Sequence, residues 1–265
     1  ATPHNGYTES FTALLEMIEP QRFARGVAPD RRAQDEVVVR RLKDTIVNPD
    51  GSKKFPGRDP RPIVVEYPES ERQVHDWLGE YAEHRRKRLG TSKAASKAAD
   101  LVTLLLKKRL FSSPAAFAAT VDVHKESIRR QAGNGDVPDD VPEWRQEILD
   151  EDEILDDDAL AEAEDDALTR SARLQPQPTP EELELLDRME RWALTHEARA
   201  DAKAKALLGY IEAVCRPDGR HWTNERVVIF TEYRDTQRWL ANLLEQAGLG
   251  GDRLALLHGG MHIDD

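Results

Sequence analysis

The stretch that most constrains the fold covers residues 226–261, where two apolar runs flank a helical pattern. Residues 227–230 (VVIF) and 254–257 (LALL) are short runs without alternation, the pattern of strands that are covered on both faces. The roughly two dozen residues between them are enough for a crossover helix, and Gly248 stops the helical pattern. The stretch therefore predicts a parallel βαβ unit.

A crossover of this kind is almost always right-handed, so the loops that follow its two strands emerge at one edge of the sheet. Ligands of open α/β sheets bind at that edge. The expected working edge gathers the residues that follow the two runs: Thr231, Glu232, Tyr233, His258, Gly259 and Gly260. A purely structural βαβ unit is the alternative, and a lone histidine such as His258 does not decide between the two.

Charge is distributed very unevenly. The net charge is −12, but residues 136–166 contain sixteen acidic residues and one basic residue, so the rest of the chain is slightly positive. Nine basic residues lie between Arg85 and Arg109, with Asp100 as the one acidic residue among them. Such clusters contact phosphates in nucleic-acid-binding proteins, although charge runs also occur on solvated helix faces. The acidic average does not exclude a nucleic-acid partner.

Composition excludes other classes of protein. Cys215 is the one cysteine, so neither an intrachain disulfide nor a multi-cysteine metal site can form. No apolar run reaches the roughly 18 residues of a membrane span. We expect a cytoplasmic protein without a membrane partner.

Helical spacing predicts further helices at residues 11–18, 69–88 and 93–110, from the Ser113-Pro114 cap towards Arg130, and as one or two helices in 181–214. Residues 62–67 form a strand candidate, and 37–46 fit a short helix or a strand. Both ends look cut, which indicates a middle piece of a longer protein.

Six stretches, in this order, resemble the Swi/Snf-type branch of the superfamily-two helicases, and within it the RapA-like group and the helicase subunits of DISARM-type defence systems. ATPHNG (1–6) resembles motif III, and VVRRLKD (38–44) resembles the Arg-Arg-x-Lys segment after it. LLKKRLFSSP (105–114) resembles the helical region between the lobes, and DAKAKALL (201–208) the helix that opens the second lobe. VIFTEY (228–233) resembles motif IV, and LLHGGM (256–261) the segment that follows it.

The resemblance implies an α/β fold of partial RecA-like lobes around a large, mainly α-helical insertion. Residues 1–67 would end the first lobe, 68–134 form the helical inter-lobe region, 135–180 an acidic and Pro-rich insertion, and 181–265 begin the second lobe. The intact protein would bind ATP and Mg²⁺ and move on duplex DNA, with RNA left open. Subunits of a defence or transcription complex are further partners that it implies.

The chain lacks a Gly-x-x-x-x-Gly-Lys-Ser/Thr phosphate loop, so this piece alone is expected neither to bind nor to hydrolyse ATP. No catalytic residue and no metal ligand is predicted within it. A different function remains as the alternative, namely a helical interaction module that binds a basic partner through its acidic segment.

The resemblance also implies roles for particular residues. Thr2, Pro3 and His4 would couple the nucleotide state to the nucleic-acid path, while an ordinary proline turn is the alternative. Arg40 and Arg41 would hold the lobes together through carboxylates or contact the nucleotide or nucleic acid. The predicted nucleic-acid contacts comprise the working-edge residues Thr231, Glu232, Tyr233, His258 and Gly259 and the basic residues Arg85, Arg86, Lys107, Lys108 and Arg109.

Overall fold

The computed structural model describes residues 8–39, 41–130, 157–259 and 261, in two compact units that cover residues 1–62 and 63–265. Helices make up 62% of it. We number the α-helices α1 (Thr8–Ile18), α2 (Arg31–Val37), α3 (Glu69–Arg88), α4 (Lys93–Ser112), α5 (Pro114–Arg130), α6 (Asp157–Arg173), α7 (Pro180–His196), α8 (Ala202–Cys215) and α9 (Arg234–Gln246). Two 3₁₀ turns lie at Lys43–Thr45 and Gly251–Arg253.

The first unit contains α1 and α2. The Thr12 hydroxyl accepts a hydrogen bond from the Gly26 amide at 2.8 Å, which folds the following loop back onto α1. The Asp30 carboxylate caps α2 by accepting from the amides of Arg32 and Ala33. Of residues 37–46, which fitted either a short helix or a strand, Lys43–Thr45 form a 3₁₀ turn. An isolated antiparallel bridge, Val47 to Lys53, follows it.

The second unit is built on a bundle of the five helices α3–α7, which share one apolar core. Short polar signals start these helices: Ser113 accepts from the Ala116 amide with Pro114 at the first helical position, and Thr179 and Glu182 form a capping box on α7. The largest fully buried apolar side chains of the core are Leu78, Tyr81, Leu101, Leu106, Phe117, Ile128, Leu168, Leu186 and Met189. The helices that the apolar spacing predicts in this region are confirmed.

The helices α8 and α9 carry a second, smaller core. Ile211, Cys215, Leu244 and Leu249 are buried together, and Val227, Ile229 and Leu254 pack partly against them. Gly248 follows α9 in the left-handed region with φ +70°, a conformation that glycine adopts without strain and that ends the helix.

The prediction of partial RecA-like lobes with a parallel βαβ unit is wrong, because the described residues contain no strand. The three segments predicted as strands, 62–67, 227–230 and 254–257, are all irregular. The apolar runs predicted burial on two faces, but in the described part of the chain no segment covers the second face: Val228 is 74% exposed, Phe230 92% and Leu257 78%. The predicted crossover helix is present as α9.

Although the described residues form no sheet edge, α9 holds the two predicted loop segments near each other. Arg234 donates from Nη1 to Nδ1 of His258 at 2.7 Å. Gln237 donates from Nε2 to the carbonyl of Leu257, also at 2.7 Å. Hydrogen bonds from α9 side chains thus bring these two segments together, as the pairing of two strands was expected to do. Among the described residues, none of the helices is long and apolar enough to cross a membrane.

Candidate nucleic-acid interface

Arg85, a predicted phosphate contact, lies inside the bundle with 2% of its surface exposed. Its guanidinium donates to the Gln175 side chain at 2.9 and 3.1 Å, to the Pro176 carbonyl at 2.9 Å and to Glu182 at 3.1 Å. Glu182 is also fully buried and accepts a second guanidinium, that of Arg88, at 2.8 Å. In this conformation Arg85 joins α3 to the start of α7 and presents no donor to solvent.

Arg109 forms a second buried pair near the end of α4. Its Nε and Nη2 donate to one oxygen of Glu164 at 3.0 and 2.7 Å, and both side chains are almost fully buried. Its guanidinium also stacks on the ring of Tyr233, 3.9 Å from the centroid. Such cation–π contacts gain strength when they are removed from water.

Tyr233 completes the same cluster. It is 3% exposed, and its hydroxyl donates to the other oxygen of Glu164 at 3.3 Å. Burial, followed by the charge of Glu164, raises the pKa of Tyr233. The hydroxyl therefore stays protonated and remains a donor at neutral pH.

Hydroxyls and a further ion pair extend this cluster into a joint between α4 and α9. The hydroxyl of Thr236 lies 2.6 Å from that of Ser112 and 2.8 Å from that of Ser113. Lys108 pairs with Glu232 at 2.9 Å and lies 3.8 Å from Glu164. Thr231 is partly buried and its hydroxyl makes a long contact, 3.5 Å, with the Tyr233 carbonyl. We call Lys108, Arg109, Glu164, Glu232, Tyr233 and Thr236 the α4–α9 joint.

The other predicted loop residues lie close to α9. His258 is partly buried, and because Arg234 donates to its Nδ1, that nitrogen acts as an acceptor. Gly259 is exposed in a turn, where the Met261 amide donates to the His258 carbonyl at 3.2 Å. These residues are next to each other but present no cluster of donors to solvent.

Three lysines follow one face of α4, of which Lys93 and Lys97 are exposed and Lys107 is partly buried. Lys93, Lys97 and Lys107 fall within an arc of about 80° on a helix of 3.6 residues per turn, and none of the three forms an ion pair among the described residues. We call these three residues the lysine stripe. Asp100 lies on the same face but is paired at 2.9 Å with Arg86 of α3, so the face stays positive.

The predicted basic residues thus separate into two groups. Lys107 forms no ion pair among the described residues and Arg86 of α3 forms an exposed pair with Asp100, whereas Arg85, Lys108 and Arg109 are mostly buried and pair with carboxylates within the unit. Lys93 and Lys97 were missed by sequence reasoning, which weighed clusters of adjacent charges. Their helical spacing with Lys107 was the available signal.

Some predicted residues lie elsewhere. Arg41 is exposed in the first unit and forms no ion pair or hydrogen bond with another residue that the structure describes. Thr2, Pro3, His4 and Arg40 lie outside the described residues, as does most of the acidic segment, and so does Gly260. The described end of the acidic segment belongs to α6, which packs into the bundle and contributes Glu164 to the α4–α9 joint.

The residues described do not fit a magnesium–nucleotide site. The chain contains no phosphate loop, and the described residues hold no group of three or more His, Cys, Asp or Glu placed to bind a metal ion. No step through ATP is assigned to these residues.

Comparison of the chain with protein-family models, with curated proteins and with solved structures gave no match.

Proposed function

We propose that this chain binds the phosphate backbone of duplex DNA through the lysine stripe of α4, as the helical part of an ATP-driven translocase of the Swi/Snf type. DNA binding is supported by the row of three lysines on one helix face, none of which forms an ion pair with another described residue. The order of the six sequence stretches supports the motor half.

The lysine stripe is suited to contacts with DNA phosphates that do not depend on the base sequence. Lysine binds phosphate as a point charge and releases counterions from the DNA. Lys93 and Lys107 are fourteen residues apart, so they lie about 21 Å apart along the axis at 1.5 Å per residue. That distance corresponds to about six phosphates at 3.4 Å per strand. A translocase needs contacts of this kind because it meets every sequence in turn.

The α4–α9 joint gives the stripe a mechanical connection. Arg109 of α4 is bonded at 2.7 Å to Glu164 of α6 in a buried pair, and Tyr233, the residue before α9, contacts both side chains. Ser113, at the same end of α4, binds Thr236 of α9. Breaking such a buried pair is strongly destabilising. A displacement of the segment before α9 would therefore move α4 and its lysines with it. ATP, bound elsewhere in the intact protein, would supply the driving chemistry of phosphoryl transfer.

The test is the salt dependence of DNA binding, measured by fluorescence anisotropy with a labelled duplex between about 50 and 200 mM salt. Each phosphate contact contributes about −0.9 to the slope of log Kobs against log [salt]. We expect the triple variant Lys93→Gln, Lys97→Gln, Lys107→Gln to reduce the magnitude of the slope by up to about 3.

The matched control removes three charges from other exposed helix positions: Arg130→Gln, Arg170→Gln and Arg188→Gln. Each of these arginines pairs with a carboxylate one turn earlier on its own helix. The control variant should keep the original slope. Equal losses in both variants would reduce the effect to net charge and contradict the assignment of the stripe.

A further inference from the structure

Residues 227–230 expose one apolar face and leave their backbone unpaired. Val227 and Ile229 pack against the α8–α9 core, while Val228 and Phe230 point to solvent, 74% and 92% exposed. This alternation is what an extended backbone produces. In the part of the chain that the structure describes, no hydrogen bond engages the backbone amides and carbonyls of these four residues.

A cavity of about 740 Å³ lies beside this segment. Residues 62–67 border it with Ile63 and Val65, which are two positions apart, and Ile229 and Phe230 border it as well. Leu104 of α4 and Leu207 of α8 add apolar surface. Lys107 belongs both to this lining and to the lysine stripe, so a test specific to the cavity must change its apolar residues and leave the lysines intact.

Three lysines and one glutamate line the cavity: Lys107, Lys108, Lys203 and Glu232. Lys108 and Glu232 pair with each other at 2.9 Å, and Lys107 has no ion-pair partner among the described residues. A ligand that is apolar and carries a carboxylate near Lys107 would therefore complement both the apolar lining and the positive charge of the cavity.

We propose that this cavity is a docking groove for an extended segment of a partner protein, which adds a strand along residues 227–230. The unpaired amides and carbonyls provide the ladder, since strand addition draws its affinity from main-chain hydrogen bonds and its specificity from alternate side chains. The partner segment therefore carries apolar residues at alternate positions and an acidic residue at the end that meets Lys107.

The probe is a fluorescein-labelled synthetic peptide of alternating valine and threonine with glutamates at one end. We expect saturable binding by anisotropy, together with slowing of hydrogen exchange at the amides within 227–230 by more than about tenfold, because paired amides are protected. A peptide whose alternate amides are N-methylated, so that it cannot form the ladder, should not bind. Binding without protection of these amides would overturn the proposal.

A pair of neutral substitutions tests the location. Phe230→Ser should weaken peptide binding about tenfold or more, whereas Leu194→Ser, at another exposed apolar position on α7, should leave it unchanged. Neither substitution alters a charge, so both variants should keep the salt slope of DNA binding, and the two proposals succeed or fail separately. A concentration-dependent dimer that Phe230→Ser abolishes, seen in sedimentation without peptide binding, would instead assign the groove to a second copy of the chain.

Discussion

The bundle of α3–α7 and the region of α8 and α9 contain similar apolar sequences but differ in how completely they bury them. Phe117 of the bundle is fully buried, whereas Phe230, before α9, is 92% exposed. The first side chain belongs to a core to which five helices contribute, while the segment of the second packs on the small core of α8 and α9. The bundle completes its own core, and the α8–α9 region offers an apolar face that needs a further segment to cover it.

The largest effect that separates the two regions should come from His124, which the bundle buries completely. Tyr81 and His124 share a hydrogen bond of 2.6 Å between the hydroxyl and Nε2, and burial lowers the pKa of His124 from 6.5 to about 3. Below pH 6.5 His124 binds a proton in the unfolded chain but stays neutral in the folded chain until the pH approaches 3. The stabilisation is therefore complete above pH 6.5 and is lost as the pH falls towards 3, by up to about 1.4 kcal/mol per pH unit.

Urea unfolding of the chain and of His124→Gln between pH 7 and 4 measures this contribution. Glutamine can still accept a hydrogen bond from Tyr81 but does not titrate. In the variant, the free energy of unfolding should therefore depend less steeply on pH, by a difference that corresponds to nearly one bound proton. The carboxylates titrate equally in both proteins and cancel in the difference. Identical pH slopes would mean that His124 is accessible to protons and that the bundle core is not closed there.

A matched pair of phenylalanines compares the cores directly. Phe117→Ala should reduce the free energy of unfolding by about 3–5 kcal/mol, because the truncation leaves a cavity in a packed core. Phe230→Ala should change it by no more than about 0.5 kcal/mol, because the ring lies in water. Chemical denaturation gives both values. A large loss for Phe230→Ala would show that its ring is covered.

A smaller difference is expected for two neighbouring arginines of α3. Arg85→Gln should cost about 3 kcal/mol, since it removes one partner of a buried ion pair, although Arg88 still neutralises Glu182. Arg86→Gln should cost less than about 1 kcal/mol, because its pair with Asp100 is exposed. Denaturation curves for the two variants should differ clearly in midpoint, and coincident midpoints would contradict the burial of Arg85.

Arg85 and Arg86 also illustrate which features the sequence could predict and which it could not. Apolar spacing and caps placed the helices well, since the Ser113-Pro114 start and the Gly248 stop act locally. Burial of Arg85 depends on Glu182, almost a hundred residues later in the chain, and no local pattern encodes that encounter. Sequence reasoning consequently assigned Arg85 and Arg86 one role, where the structure gives them different environments.

The strand prediction failed for a different reason. An apolar run indicates that its side chains favour burial on both faces. A strand also needs an adjacent strand whose backbone forms hydrogen bonds with its own. Among the described residues, 227–230 have packing on one face only and no backbone partner. The sequence showed that the run is apolar, but it contained no evidence for a neighbouring strand to pair with it.

Hydrogen exchange at single amides tests the contrast between the two regions most directly. We expect slow exchange in α3–α7, where helical hydrogen bonds surround a closed core, and near-intrinsic exchange at residues 227–230 and 255–257 of the free chain. Protection in both apolar runs of the free chain, comparable to that of the bundle, would mean that they are paired as strands. That result would contradict the helical architecture and the open groove together.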